Sequence, residues 1–356
     1  MSSIGVSPVQ VHHQKNGLIL KDASILKVND HPEIDEIEDA EQNLSVDVDC
    51  NVAPLWTIMH KMVPPRPNPQ SVNTKWPYTL MKKELMKAAE VVSAEEAERR
   101  VLILVNQAMR APYTTDTIYA GLQIVLPGEI APAHRHRAFA LRFIIEGSGG
   151  FTAVEGEKIE MFPGDVILTP SWSWHDHGNE GKDPIIWLDG LDLPLWQFLP
   201  INFLQQYSEA RYPSTPSAQS PLRFPWSDVA QKLDADQSQH AVFHYRQHDG
   251  SHLSKTISAQ AERIAPGFTT SPGKDVFSFV YHVYEGNGFT TIKSPISSIS
   301  EKIEWKGKDT FAVPAWSEIT HTCTSQERSA YLFAINDRPI VEALTFASTD
   351  FLGKSV

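Results

Sequence analysis

The chain has 356 residues, a formal charge of −12 and 41% hydrophobic residues, enough for one large core or two ordinary ones. The acidity excludes nucleic acid and an anionic membrane surface as partners, since both demand clustered Lys and Arg, and no apolar run approaches the roughly 20 residues that cross a bilayer. MSSIGVSPVQVHHQKNG has no basic start followed by an apolar stretch, and Cys50 and Cys323 are too few for a disulfide framework, so a reduced, cytoplasmic protein is expected.

Residues 1–52 are polar, with the acidic run Glu33-Ile34-Asp35-Glu36-Ile37-Glu38-Asp39, and predict a mobile segment. Residues 53–100 predict an arm with helices. The stretch from Pro54 to Tyr78 is rich in Pro and Trp and reads as extended chain. Met81 to Ala89 consists of good helix formers, and Ser93 with Glu95 and Glu96 marks the capped start of a short helix ending near Arg100. From Val101 on, short apolar runs between Pro-Gly and Gly-Asp turns predict β-strands. The expected division is a first β unit over 101–195, a linker over 196–240, a second unit over 241–346 and a tail over 347–356.

That division rests on an internal repeat. Thr117-Ile118, Pro127-Gly128 and Glu146-Gly147 recur 139 residues later as Thr256-Ile257, Pro266-Gly267 and Glu285-Gly286. Asp165, Pro170 and Trp172 recur 144 residues later as Asp309, Pro314 and Trp316. Two copies of one β unit predict duplicated barrels rather than one large sandwich.

His134 and His136 stand two apart on an expected strand, so both imidazoles face one side. His175 follows Pro163-Gly164-Asp165 and the apolar run Val166-Ile167-Leu168, a strand-turn-strand layout that can return it beside them. Three histidines on one face leave open metal positions for chemistry. Imidazole ligation alone admits Fe, Zn, Cu, Ni or Mn; Fe(II) follows only if the chemistry is oxygen activation. The same offsets place Gly273, Asp275 and Ile319 where the ligands would be in the second copy, so one metal per chain is expected, in the first unit.

His177 shares a strand face with His175 and reads either as an acid/base or substrate contact or as a packed histidine. Arg142 faces the same interior and needs an anionic partner, either a substrate carboxylate, a reduced oxygen species or Asp189. Gln123 and Gly121 lie on the preceding strand and could line the cavity. His240, His244, His248 and His252 are spaced by four, but Asp249-Gly250 breaks the stretch, so no metal is expected there. Trp172, Trp174 and Trp187 read as core aromatics.

The runs PAHRHRAFALRFIIEG, PSWSWHDHGN and WLDGLDLPL, with Pro54-Leu55-Trp56, AEEAERRVLILVN and INDRPIVEAL, resemble the gentisate 1,2-dioxygenase family of bicupins, over roughly residues 53–346. That family includes salicylate and 1-hydroxy-2-naphthoate dioxygenases. The resemblance implies a mainly β fold of two jelly-roll-like cupin barrels with an N-terminal arm and short helices. It also implies Fe(II) on His134, His136 and His175, and a homotetramer whose arms reach neighbouring subunits. Substrate contacts would map onto Gln123, Arg142, His177 and Asp189, with Arg99 and Arg100 near the pocket. Tyr119 stands where many members have Trp, and Arg137-Ala138-Phe139 replaces a common Thr-Gln-Ser. The implied reaction consumes O2 and opens gentisate between C1 and C2 to maleylpyruvate, with Arg142 and His177 stabilising the developing charge. The same chemistry on salicylate, 1-hydroxy-2-naphthoate or another ortho-hydroxylated acid is the alternative. A bicupin that binds metal and a small acid without turnover, or a sugar isomerase, are readings of other kinds.

Overall fold

The computed structural model describes residues 52–296 and 299–344. The acidic run, His12, His13, Cys50 and the tail 347–356 lie outside the described residues. The chain divides into two compact units. In the first, up to Pro65, helix α1 (Leu55–Met62) stands where extended chain was expected. LWTIMHKM contains no Gly or Pro, Pro54 holds an extended conformation at the N-cap, and the Thr57 hydroxyl donates to Pro54 O at 2.8 Å. None of its residues is buried.

The second unit begins at Arg66 with β1 (Thr74–Trp76), α2 (Tyr78–Val91) and α3 (Ala94–Ala97), the last capped by the Ser93 hydroxyl accepting from Glu96 N at 3.1 Å. The first β set is β2 (Val101–Ile103), β3 (Tyr119–Val125), β4 (Ile130–His136), β5 (Ala140–Glu146), β6 (Gly150–Val154), β7 (Glu157–Glu160), β8 (Val166–Thr169), β9 (His175–Asn179) and β10 (Ile185–Leu191). After α4 (Leu193–Trp196) come β11 (Leu204–Gln206), β12 (Thr215–Pro216), β13 (Arg223–Phe224) and α5 (Trp226–Ala235). The second set is β14 (His240–His244), β15 (Ser258–Ile264), β16 (Gly273–Lys274), β17 (Phe279–Glu285), β18 (Asn287–Lys293), β19 (Ser300–Lys306), β20 (Thr310–Val313), β21 (Glu318–Cys323) and β22 (Ala330–Asn336), closed by α6 (Arg338–Leu344). Among the described residues no helix is long and apolar enough to cross a membrane.

Four sheets stack. In the first half, β11-β4-β9-β6-β7-β12 faces β13-β8-β5-β10-β3-β2; in the second, β1-β20-β17-β22-β15-β14 faces β16-β21-β18-β19. Each facing pair is an open jelly roll rather than a closed barrel. Strand alternation explains the layers. On β5, Ile144 points into the first jelly roll with Val125, Ile167 and Trp187, while Leu141 and Phe143 point out against the second half. There Phe143 stacks on Phe333, ring centroids 4.4 Å apart. Ile264, Phe279, Phe311 and Trp305 fill the second jelly roll.

The repeat is visible in the backbone. Trp172 and Trp316 both adopt a left-handed φ, 67° and 65°, and Gly147 and Gly286 match at 107° and 100°. A Cβ on Gly147 would sit 2.4 Å from Pro184 O, so only glycine fits that turn. The repeat also reaches further out than the strands. β1 pairs with β20 of the second half while α2 packs on β2 and β3 of the first; β13 pairs with β8 of the first half while α5 packs on β14 and β15 of the second. The joints match. Lys75 bonds Asp309 at 2.9 Å where Arg223 bonds Asp165 at 2.6 Å, and those carboxylates accept from Tyr78 N and Trp226 N, each at 2.9 Å.

Candidate metal centre

β4 pairs with β9 so that His134 lies opposite His175 and, across a register shift, Ala131 lies opposite His177. The ring centroids of His134 and His136 are 5.3 Å apart, those of His134 and His175 4.5 Å, and those of His136 and His175 4.9 Å. One nitrogen of each ring lies within 4.8 Å of the others. Among the described residues, this is the cluster of three or more His, Cys, Asp or Glu side chains that can share an ion.

The rings are prepared for that task. His136 Nδ1 bonds Ala138 O and His175 Nδ1 bonds Ser173 O, both at 2.9 Å, which puts the proton on Nδ1 and leaves Nε2 as a free lone pair. Burial, aided by neighbouring cations, pulls His134 down to about 2 and His136 to about 4, and holds His175 well below its ordinary value. At neutral pH all three are uncharged donors. The donor set therefore fits a divalent ion.

A cavity of about 350 Å³ opens from this face. Its lining includes Gln123, Arg142, His177 and Asp189, the residues singled out in the sequence. Arg142 is buried, donates to Thr169 Oγ1 at 2.5 Å, and lies 3.4 Å from Asp189 Oδ1, its cross-strand neighbour. Asp189 also accepts from Trp187 Nε1 at 2.9 Å. Burial raises Asp189 to about 6, with Arg142 pulling the other way. His177 is buried and kept uncharged by desolvation, and its Nδ1 has no partner. Gln123 Nε2 is likewise unpaired. Gly121 lies beneath Tyr119, whose hydroxyl is 2.9 Å from where a Cβ would stand.

Arg99 and Arg100 part company. Arg99 enters the cavity wall, donating to Pro132 O at 2.7 Å and Glu98 O at 3.1 Å. Arg100 turns away to Glu129 and the carbonyls of Ala89 and Val92. Consecutive residues entering a strand face opposite ways. The sequence did not single out Val101, Ala140, Leu191, Leu193, Phe203 and Leu204, which complete the apolar wall. Two of these come from a stretch without strand periodicity.

In the second half Gly273 lies opposite Ile319, the register that His134 and His175 occupy in the first. His321, the counterpart of His177, is buried and held by Thr290 Oγ1 at 2.7 Å. His240 bonds Glu262 and His252 bonds Glu342, so the four-spaced histidines do not converge. Trp187 is core, but Trp172 and Trp174 are not. They lie half-buried on the outer surface, where the Arg135 guanidinium sits over both rings, 4.4 Å from each centroid. A tryptophan count reads hydrophobicity and misses the cation.

The Cupin domain family matches residues 121–191. A gentisate 1,2-dioxygenase of Aquipseudomonas alcaligenes is 34% identical over 327 residues, covering 83% of this chain and 92% of the relative. A 5-aminosalicylate 1,2-dioxygenase of a Comamonas species is 32% identical, covering 83% and 86%. Among solved structures, a variant of the salicylate 1,2-dioxygenase of Pseudoaminobacter salicylatoxidans in complex with gentisate aligns with a TM-score of 0.77 at 26% identity, covering 91% of this chain and 96% of that one.

Proposed function

The chain belongs to the gentisate 1,2-dioxygenase family of bicupin ring-cleaving dioxygenases, and from that premise we propose that Fe(II) held by His134, His136 and His175 serves the opening of gentisate to maleylpyruvate. The observation that carries the reading is the pairing of a neutral three-histidine face with two cavity arginines, Arg99 and Arg142. Three imidazoles leave a divalent ion its full charge, and the arginines add more. A carboxylate beside a phenolate is the chelate that balances such a site. When bound, Fe(II) supplies the redox chemistry through which O2 reacts with the ring.

The protein's residues do the rest. Arg99, anchored on two carbonyls, receives the substrate carboxylate. Asp189 and Thr169 orient Arg142 toward charge that grows during ring opening. His177 offers Nδ1 as the place to hold or release a proton. Tyr119 stays protonated, raised by burial and then by Asp189, and among the described residues its hydroxyl has no hydrogen-bond partner. It lines the cavity and suits the 5-hydroxyl that distinguishes gentisate from salicylate. Val101, Leu191, Leu193 and Phe203 exclude water from the ring. The cavity of about 350 Å³ sits at the lower end of ligand pockets and suits one ring better than two.

The proposal also includes a cytoplasmic homotetramer; sedimentation of a monomer would remove that part. The central test adds gentisate anaerobically to iron-loaded protein, then admits O2 alongside salicylate, 5-aminosalicylate and 1-hydroxy-2-naphthoate. Fastest uptake with gentisate, with the absorbance of a ring-opened enol, is expected; uptake only with another acid overturns the substrate. His136→Ala should lose both bound iron and turnover, and retention of either removes the ligand assignment.

A further inference from the structure

We propose that Arg135 is a positioning residue of the metal face: wedged between Trp172 and Trp174 on the back of the sheet, its guanidinium holds His136 in range of His134 and His175. The inference rests on the reading that those three histidines hold a metal.

The ladder between β4 and β9 stops short of His136. Its last pair is His134 with His175, and before that the register slips. Hydrogen bonding between these strands thus fixes two ligands to each other and leaves the third beyond the end. On its other edge His136 pairs with Leu204 of β11, an exposed strand with no ligand of its own. What links His136 to the β9 side lies outside the ladder. Trp172 N donates to His136 O at 2.8 Å. Arg135 Cζ stands 4.4 Å from the ring centroid of Trp172 and 4.4 Å from that of Trp174. Its Nε and Nη2 donate to Gln205 Oε1 at 2.9 and 2.7 Å. One side chain therefore gathers β4, β11 and the turn before His175. The two tryptophans flank Ser173, whose carbonyl orients His175 through Nδ1.

The guanidinium works through the two indole rings it lies over. Among the described residues no carboxylate forms an ion pair with Arg135, so charge pairing does not explain its place, whereas a cation over two indole rings is attracted by both. The second half is a natural control. It keeps the tryptophan of the turn, Trp316, in the same left-handed conformation as Trp172. Where the first half has Arg135 and Trp174, the second has Lys274 opposite Glu318, and among the described residues no cation lies over Trp316. The half that lacks the ligands also lacks the clamp, while the turn itself is retained. The clamp follows the metal face, not the fold.

The test titrates metal-free full-length protein with Co(II), followed by visible absorption, in the wild type, Arg135→Lys, Arg135→Ala and Trp174→Leu. Removing a group that orients a ligand typically weakens metal binding about 10–100-fold. Arg135→Ala should lose that much, with altered band intensity, and Arg135→Lys should recover only part. A second titration uses Cu(II), which two imidazoles still retain measurably. In a His136→Ala background, adding Arg135→Ala should cause no further loss, because the clamp acts through His136. Wild-type affinity and spectrum in Arg135→Ala would overturn the proposal, as would an undiminished loss in the His136→Ala background. Should Arg135→Ala fail to fold, Arg135→Lys and Trp174→Leu carry the same comparison. A wild type that binds neither ion sinks the metal reading itself; a wild type that binds normally beside unaltered clamp variants sinks this inference alone.

Discussion

Replacing Arg99 by methionine should make the metal-free protein more stable while spoiling its use of substrate. Arg99 gives its charge to two neutral carbonyls, Pro132 O and Glu98 O, with no ion pair among the described residues. Burial first, and then the like charge of Arg142, pull it from 12.5 to about 9. With about 1.4 kcal/mol for each whole pKa step, the cation burdens the fold by roughly 3–5 kcal/mol. The two hydrogen bonds return roughly 1–3 kcal/mol. Because the side chain opens on a cavity, the lower end of the burden applies, and Arg99→Met should gain up to about 2 kcal/mol, a Tm rise of up to about 6 °C. The folded state holds this base below its ordinary value, so the burden is whole at neutral pH and recedes only as pH climbs from about 9 toward 12.5.

The ligand reverses the sign. A carboxylate supplies the missing anion, so gentisate at about 100 times its Kd should raise wild-type stability by about 2.7 kcal/mol. In Arg99→Met most of that rise should vanish, and KM should climb by roughly 10–150-fold, the worth of one charge-assisted bond. Calorimetry of the apo protein with and without gentisate, beside O2-uptake kinetics, reads both quantities. An Arg99→Met protein that is less stable than wild type yet is stabilised by gentisate as strongly would refute the reasoning.

Two further outcomes concern the scaffold. Glu262 is buried, which would push it up, but His240, His321 and Gln260 outweigh burial and hold it at about 2 against an ordinary 4.5. Its contribution is therefore present above about 4.5 and lost as pH falls through about 2, so Glu262→Gln should flatten acid denaturation in that window. An unchanged acid limb would contradict the pairing. Asp192 accepts from Thr256 Oγ1 at 2.5 Å and Phe139 N at 2.9 Å, and its counterpart Asp337 accepts from Thr117 Oγ1 at 2.5 Å and Ser278 N at 2.8 Å. Asp192→Ala strands two donors and Asp337→Ala three, Ser278 Oγ at 2.9 Å being the third, and each should cost about 2–4 kcal/mol in urea unfolding; a loss under about 0.5 kcal/mol would mean water replaces the carboxylate.

The convergence of the three histidines was legible because it obeys the simplest rule of a strand, side chains two apart on one face, and because a second copy of the unit served as a comparison. The offsets of 139 and 144 place Gly273 and Ile319 opposite each other, as His134 and His175 are. The cavity wall was less legible. Whether Arg99 or Arg100 faces inward depends on the pairing of Val101 with Gln123, a long-range register that the local sequence does not encode. Phe203 and Leu204 enter from a stretch whose shape is set by pairing with β4. Trp172 and Trp174 defeated hydrophobic pattern reading because a tryptophan over a guanidinium and one in a core have the same composition.

Why a half without ligands persists follows from the crossed arms. The first jelly roll's outer sheet presents Leu141, Phe143 and Leu188, which are covered by Val280, Phe333 and Ile335 of the second. Lys75-Trp76-Pro77-Tyr78 and Arg223-Phe224-Pro225-Trp226 then tie each half to the other, the strand in one sheet and the helix on the opposite jelly roll. Histidines can be lost from the second copy at no cost to the core, whereas the β20 edge that β1 completes cannot. A fragment ending at Asp192 would expose that apolar face and leave β1 without a partner. At about 25 cal/mol per Å² of apolar surface, a few hundred Å² exposed amounts to many kcal/mol, comparable with the whole stability of a domain. Expressed alone, residues 66–192 should be insoluble or unfolded by circular dichroism, and co-expression with residues 193–344 should restore a folded complex that binds Co(II). A soluble, cooperatively folded fragment with an intact three-histidine face would show that the second half is dispensable to the site.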